Sequence, residues 1–170
     1  MPVSLRTAEA ADIPRVADLH LRSRIDAYAG LVSRRALTQV STPVFAAWWV
    51  ERWSHERATH VLTVAERDDQ LVGFTYVGPD DEEDEPRTGL LYAIHLDPAE
   101  RGRGTGRVLM TGALATLSEQ GWQRAALWVL AGNDRARAFY ERGGWRPAGQ
   151  SRDSRFGPPI EEIRYDRQLP

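Results

Sequence analysis

The chain has neither cysteine nor lysine among its 170 residues. The absence of cysteine excludes disulfides, thiolate metal ligands and a cysteine nucleophile. The absence of lysine excludes a Schiff base and a P-loop cation, because all 22 basic residues are arginine. The chain also lacks an apolar signal core and any apolar run of the roughly 20 residues that span a bilayer. We therefore expect a cytoplasmic protein with no metal site and no membrane contact.

The composition is that of an ordinary globular protein, with 42% hydrophobic and 27% charged residues. The net charge of −2 argues against binding nucleic acid through bulk charge. The length suits one domain with its own core, which we place at residues 1–170.

The apolar periodicity predicts alternating strands and helices. Strands are predicted at 3–7, 60–66, 71–77, 89–96, 125–130, 145–149 and 160–167. Four helical regions are predicted. The first begins at residue 11, the second covers 33–54 with a break near Thr42-Pro43, the third follows the glycine-rich residues 101–107 and ends at about 120, and the fourth covers 133–142. This order predicts a mixed α/β fold, with one mixed sheet and helices on both faces.

Six consecutive acidic residues occupy positions 80–85. Such a block is usually a solvated loop. The alternative is that it attracts a cationic substrate.

Residues 101–107 read Arg-Gly-Arg-Gly-Thr-Gly-Arg, between an apolar strand and a helical pattern. Glycine lets the backbone approach a ligand, and a helix N-terminus presents free N–H groups to an anion. We therefore expect a cradle for a phosphorylated cofactor. The Walker, dinucleotide and kinase patterns all fail, since the Gly-Lys-Ser/Thr, the acidic residue about 20 positions on and the β3 lysine are missing.

Two motifs together resemble the GNAT superfamily of N-acetyltransferases. Arg101, Gly104 and Gly106 give Arg-x-x-Gly-x-Gly after a strand that ends in Asp-Pro. Asn133 is followed seven residues later by Tyr140 and then by a Gly-Gly-Trp stop. The resemblance implies a mostly antiparallel sheet of six or seven strands, with splayed central strands and about four flanking helices. It also implies acetyl-CoA as the cosubstrate.

The resemblance assigns the cofactor-binding residues by position. Ile94, His95 and Leu96 would pair through their backbones with the pantetheine arm. The pyrophosphate loop would comprise Arg101, Gly102, Arg103, Gly104, Thr105, Gly106 and Arg107, with a hydroxyl from Thr105 and an arginine on the 3′-phosphate. Asn133 would bind the pantetheine and Tyr140 would lie beside the sulfur. Helical spacing independently places Asn133, Arg137 and Tyr140 on one face.

The resemblance makes Tyr140 the general acid toward coenzyme A, but the general base is harder to assign. The two positions that carry glutamate in many relatives hold Leu90 and Trp128 here. His95 lies in the right strand and titrates near neutrality in ordinary surroundings. The weaker candidates are His60, Glu141 and Asp153. A water chain, or an acceptor that arrives neutral, would remove the need for a base.

By the same resemblance, the acceptor pocket would involve Arg24, Tyr28, Trp49, Trp53 and the loop 154–159. The tryptophans have an alternative interpretation as helix-packing residues. If they line the pocket, they favour a partly apolar or aromatic amine.

The leading hypothesis is an acetyl-CoA-dependent N-acetyltransferase that acts on a primary amine of a small molecule or peptide. The first alternative is a catalytically silent acyl-CoA-binding sensor or partner module. The second is a binder of another nucleotide. The resemblance also makes a homodimer possible.

Overall fold

The computed structural model describes residues 1–82, 86–154 and 159–170. The strands are β1 Ser4–Thr7, β2 Val61–Arg67, β3 Gln70–Pro79, β4 Thr88–Leu96, β5 Arg124–Leu130, β6 Arg146–Asp153 and β7 Glu161–Gln168. The helices are α1 Ile13–Ala27, α2 Arg34–Leu37, α3 Thr42–Glu56, α4 Thr105–Glu119 and α5 Asp134–Arg142, with short 3₁₀ turns at Ala10–Asp12 and Pro98–Glu100.

All seven strands form one sheet in the order β1-β2-β3-β4-β5-β7-β6. Every neighbouring pair is antiparallel except β4 and β5, which are parallel. The predicted fold class is confirmed: the sheet is mixed, mostly antiparallel and flanked by helices.

Apolar clusters cover both faces of the sheet. On one face, Trp49 of α3 packs with residues of α1 and with Phe74 and Tyr76 of β3. On the other face, Leu117 of α4 packs with Tyr140 of α5 and with β5. Because side chains of a strand alternate between faces, β2, β3 and β4 contribute to both clusters.

The predicted break in the second helical region is confirmed. Ser33 caps α2 by accepting a hydrogen bond from the Ala36 amide at 3.2 Å. α3 then begins with Pro43 in its first turn, where the missing N–H costs nothing. Between β2 and β3, Asp68 and Asp69 adopt φ angles of 51° and 61°, which fits the predicted hairpin turn.

The first residue of the acidic run 80–85 is buried, whereas the sequence predicted a solvated loop. Asp80 follows β3 directly, its side chain is 1% exposed, and it forms an ion pair with Arg164 of β7. Residues 83–85 lie outside the described residues. No described helix has the length and apolar character needed to cross a bilayer.

Candidate functional site

A cleft opens where the two central strands separate. β4 and β5 pair only through residues 88–90 and 124–126. Within the described chain, their later residues do not pair with each other, and a cleft of about 860 Å³ lies between them. Its walls come from both strands, the end of α1, α4, α5 and β7. The predicted splay of the central strands is therefore present.

The glycine turn forms one end of this cleft. Gly102 and Gly104 have φ angles of +74° and +84°, which other residues adopt only with strain. The amides of Gly102, Gly104, Thr105 and Gly106 donate no hydrogen bond to any described residue. Four free N–H groups at the start of α4 make a site for an anion, and the helix dipole strengthens it.

Arginines surround the same end. Two arginines assigned from the sequence, Arg101 and Arg107, line the cleft, and so does Arg135, which was not assigned. Burial, with the charge of Arg135 nearby, lowers the pKa of Arg101. Arg101 also forms an ion pair with Asp26 at the end of α1. Arg103 is outside the cleft lining: its side chain is 56% exposed and pairs with Glu100.

The Thr105 hydroxyl does not take the predicted position on the cofactor. It donates to the Glu100 carboxylate at 2.6 Å in a buried contact. Arg67 also donates to that carboxylate, at 3.1 Å. The Thr105 side chain therefore fixes the turn internally, and only its amide remains free for a ligand.

The predicted pantetheine segment has an unpaired edge. Ile94, His95 and Leu96 pair with residues 73–75 of β3 on one side. On the side of β5 they lie beyond the last parallel pair, and all three line the cleft. An extended ligand arm can therefore add to this edge as a strand does.

The residues predicted to share one face of α5 line the cleft, with the exception of Arg137. Asn133, Ala136 and Tyr140 line the cleft. Asn133 also caps α5, since its Oδ1 accepts from the Ala136 amide at 3.2 Å. Arg137 instead donates to the Ala131 carbonyl at 2.8 Å and to the Tyr165 hydroxyl at 3.1 Å. Its role is to hold α5 against β7, and it is outside the cleft lining.

Tyr140 lies in the cleft with its ring in the core. It is 9% exposed and packs against Trp145 and Tyr165. Its hydroxyl has no hydrogen-bond partner among the described residues, so it is available to a ligand. Burial, followed by the neighbouring Tyr28 phenol, raises the pKa of Tyr140. The phenol therefore stays protonated at neutral pH, as a general acid requires.

His95 is a weaker base than its sequence position suggests. Its ring contacts His20, with centroids 4.3 Å apart, and its Nδ1 lies 3.0 Å from the Ser23 hydroxyl. Burial, with the charge of Arg24 nearby, lowers the pKa of His95 to about 4. The neutral imidazole is held in an aromatic cluster and has little affinity for a proton.

The two tryptophans of α3 are packing residues rather than walls of the acceptor pocket. Trp49 is 1% exposed, and its indole donates to His20 Nδ1 at 3.1 Å. Trp53 packs against the same cluster. Neither lines the cleft, which corrects the prediction from sequence. Tyr28 does line it, whereas residues 155–158 of the predicted loop lie outside the described residues.

Three residues that the sequence did not predict also line the cleft: Tyr92, Trp128 and Glu162. Trp128, at one usual glutamate position, lies under the guanidinium of Arg152, 4.1 Å from its ring centroid. Leu90, at the other position, is buried in the core. The weaker base candidates His60, Glu141 and Asp153 are outside the lining.

Comparison with known proteins agrees with this architecture. Residues 27–145 match the sequence model of the acetyltransferase (GNAT) family. The mycothiol acetyltransferase of Rhodococcus jostii is 31% identical over 158 residues, which are 83% of this chain and 50% of that protein. The PaiA N-acetyltransferase of Thermoplasma acidophilum, solved with coenzyme A, superposes with a TM-score of 0.81 at 15% identity and covers 99% of each chain. YncA of Salmonella typhimurium, solved with acetyl-CoA, gives a TM-score of 0.72 at 18% identity, over 100% of this chain and 95% of that one.

The family match covers most of the chain, and this protein belongs to the acetyltransferase (GNAT) family. The structural likenesses, at their low identities, show the shared fold. The chain spans 20%, 35% and 39% of the length of three curated relatives, all mycothiol acetyltransferases.

Proposed function

We propose that this protein transfers the acetyl group of acetyl-CoA to a primary amine of a small molecule or peptide. The observation that carries the proposal is one continuous cleft, three parts of which suit the pyrophosphate, the pantetheine arm and the reacting thioester of acetyl-CoA. Free amides and arginines at one end suit a pyrophosphate, the unpaired edge of β4 suits the pantetheine arm, and Tyr140 lies farther along. The names of the curated relatives favour a small-molecule acceptor.

The residues divide the chemistry as follows. The free amides after Arg101 hold the diphosphate, and Asn133 and the β4 edge orient the thioester. A backbone N–H of residues 94–96 stabilises the oxyanion that forms when the amine attacks. Tyr140 gives its proton to the departing thiolate. Direct attack is favoured, because the chain has no cysteine to form an acyl-enzyme.

Two observations favour the alternative of a silent acyl-CoA sensor. Both usual glutamate positions are apolar, and His95 has a depressed pKa of about 4. The sensor would bind acetyl-CoA and release no thiol with any acceptor.

The test is thiol release from acetyl-CoA with spermidine, kanamycin, L-phenylalanine, phenylethylamine and a peptide with a free N-terminus. Because the protein has no cysteine, a thiol reagent detects only the released coenzyme A. Tyr140→Phe should lower turnover by about 100-fold, the scale of general acid catalysis, and leave coenzyme A affinity unchanged.

Tyr165→Phe is the matched control. It removes a hydroxyl that donates to Glu141 at 2.7 Å, accepts from Arg137 at 3.1 Å and lies outside the cleft lining, while the bond from Arg137 to the Ala131 carbonyl remains. Turnover should survive that change. An unaltered rate in Tyr140→Phe would remove Tyr140 as the acid, and coenzyme A binding without turnover on the whole panel would favour the sensor.

A further inference from the structure

Three carboxylates line the cleft within the described residues: Asp26, Glu100 and Glu162. Asp26 is paired with Arg101 at the phosphate end. Glu100 accepts hydrogen bonds from Thr105 and Arg67 in the turn before α4. Glu162 is therefore the one described carboxylate of this lining that lies away from the phosphate end.

The alternation of β7 places Glu162 on the face opposite α4 and α5. Ile163 and Tyr165 pack in the cluster beneath those two helices. Glu162 must face the other way, since neighbouring strand residues alternate. Its cross-strand partner Leu130 packs with Val32 in the cluster of the α1–α2 segment, which confirms that side. Glu162 thus lines the cleft between β4 and β5 from the face of the sheet opposite Tyr140.

The Glu162 carboxylate keeps one oxygen available. Its Oε2 accepts from Arg152 Nε at 3.0 Å, and its Oε1 has no hydrogen-bond partner in the part of the chain that the structure describes. Arg152 is shared, because its Nη1 also approaches Glu82 at 3.4 Å. An incoming ammonium group would find a negative group that is only partly compensated.

Tyr28 lines the cleft together with Glu162 and Tyr140. Burial raises the pKa of Tyr28, and the Glu162 carboxylate adds to this rise while Arg24 opposes it. The Tyr28 phenol in turn contributes to the raised pKa of Tyr140. Tyr28, Tyr140 and Glu162 all line the same cleft, so an acceptor held there can meet the three groups together.

Building on the proposed function, we propose that Glu162 is the catalytic residue that binds the ammonium group of the acceptor and takes its proton. The neutral nitrogen then forms the C–N bond to the acetyl carbon, and the C–S bond breaks. The thiolate takes the Tyr140 proton, and the extra proton on the new amide nitrogen returns to the Tyr140 oxygen through solvent. The proton on Glu162 leaves to bulk water, so one proton is released for each coenzyme A.

This assignment explains how the chain dispenses with glutamate at its usual positions. Leu90 and Trp128 have no basic group, and His95 is a neutral ring held against Ser23 and His20. A carboxylate on β7 also attracts the ammonium form of the acceptor, which a neutral imidazole does not.

The test compares Glu162→Gln with Glu161→Gln on two kinds of acceptor. One is a basic amine, phenylethylamine or another basic acceptor from the panel, and the other is methoxyamine, which is uncharged at neutral pH. Glu161 is exposed on the adjacent position of the same strand, so it controls for a local charge change. In Glu162→Gln, kcat/KM for the basic amine should fall about 100-fold, and that for methoxyamine less than about 3-fold. Glu161→Gln should leave both unchanged.

Two further measurements separate a catalytic role from a structural one. Coenzyme A affinity and Tm of Glu162→Gln should equal those of the wild type. If that variant does not fold, Glu162→Asp serves instead, with the same selective loss on the basic amine. In Glu162→Ala, added formate should restore part of the rate with the basic amine.

Equal losses on both acceptors, or no loss on the basic amine, would overturn the role of Glu162 and leave the acetyltransferase function standing. Absence of thiol release by the wild-type protein with every acceptor would overturn the proposed function, and this inference with it.

Discussion

The buried ion pair of Asp80 and Arg164 should contribute strongly to the stability of the protein, because it joins the end of β3 to β7. Their side chains are 1% and 2% exposed. The Arg164 guanidinium lies 5.6 Å from the Trp128 ring centroid, and its Nη1 has no hydrogen-bond partner among the described residues. The Asp80 carboxylate thus compensates the charge of the buried Arg164 guanidinium.

Asp80→Asn should therefore be strongly destabilising. Removing one partner of a buried ion pair costs about 3–5 kcal/mol, because the other charge remains buried without compensation. Domains of this kind have a total stability of only about 5–15 kcal/mol. For a chain of this length, each kcal/mol lowers Tm by about 2–4 °C, so we expect a fall of about 6–20 °C.

The assay is urea denaturation followed by tryptophan fluorescence. Asp81→Asn, at the exposed next residue, is the matched control and should cost less than about 1 kcal/mol. The double variant Asp80→Leu/Arg164→Met should recover most of the loss, because apolar replacements of a buried pair are often neutral or stabilising. A cost of Asp80→Asn below about 1 kcal/mol would refute the reasoning.

Two further predictions concern the phosphate end and pH. Gly106→Leu should weaken coenzyme A binding at least about 10-fold, because the leucine side chain obstructs the free amides and each charge-assisted hydrogen bond lost costs about 1.5–3 kcal/mol. The Tm should change little, because a Cβ at this position meets its nearest neighbour, Phe139, only at 3.5 Å. Val108→Leu on the exposed side of α4 should leave calorimetric affinity unchanged, and an unchanged affinity in Gly106→Leu would contradict the cradle. Folding lowers the pKa of His95 from 6.5 to about 4. Between these pH values the unfolded chain takes up a proton at His95 and the folded protein does not, so the contribution of His95 to stability is lost as pH falls from about 6.5 toward 4. His95→Gln should flatten the urea-derived stability between pH 7 and pH 5, and an unchanged slope would show that His95 titrates normally.

The local features of the site were readable in advance. The glycine run predicted a turn at the start of a helix, and the structure has that turn, with positive φ angles at Gly102 and Gly104. The sequence also predicted a helix from residue 133, and α5 begins there with Asn133 as its cap. Such features depend on a few neighbouring residues, so a short stretch of sequence suffices to predict them.

Side-chain direction was harder to predict. Helical spacing alone placed Arg137 beside Asn133 and Tyr140, but the Tyr165 hydroxyl and a backbone carbonyl draw it to β7. Trp49 carried no local signal that separates a pocket wall from the core. In each case the partner comes from an element distant in sequence.

The sequence by itself determined the strand and helix order, the glycine turn and the motifs of an acetyltransferase, because backbone preferences and periodicity act between near neighbours. Only the tertiary structure decided which charged groups meet. It buried Asp80 against Arg164 and brought Glu162 from the last strand to the cleft. The physical reason is that a long side chain follows the charges and cavities of whichever elements pack beside it, and those neighbours are set by the assembled sheet.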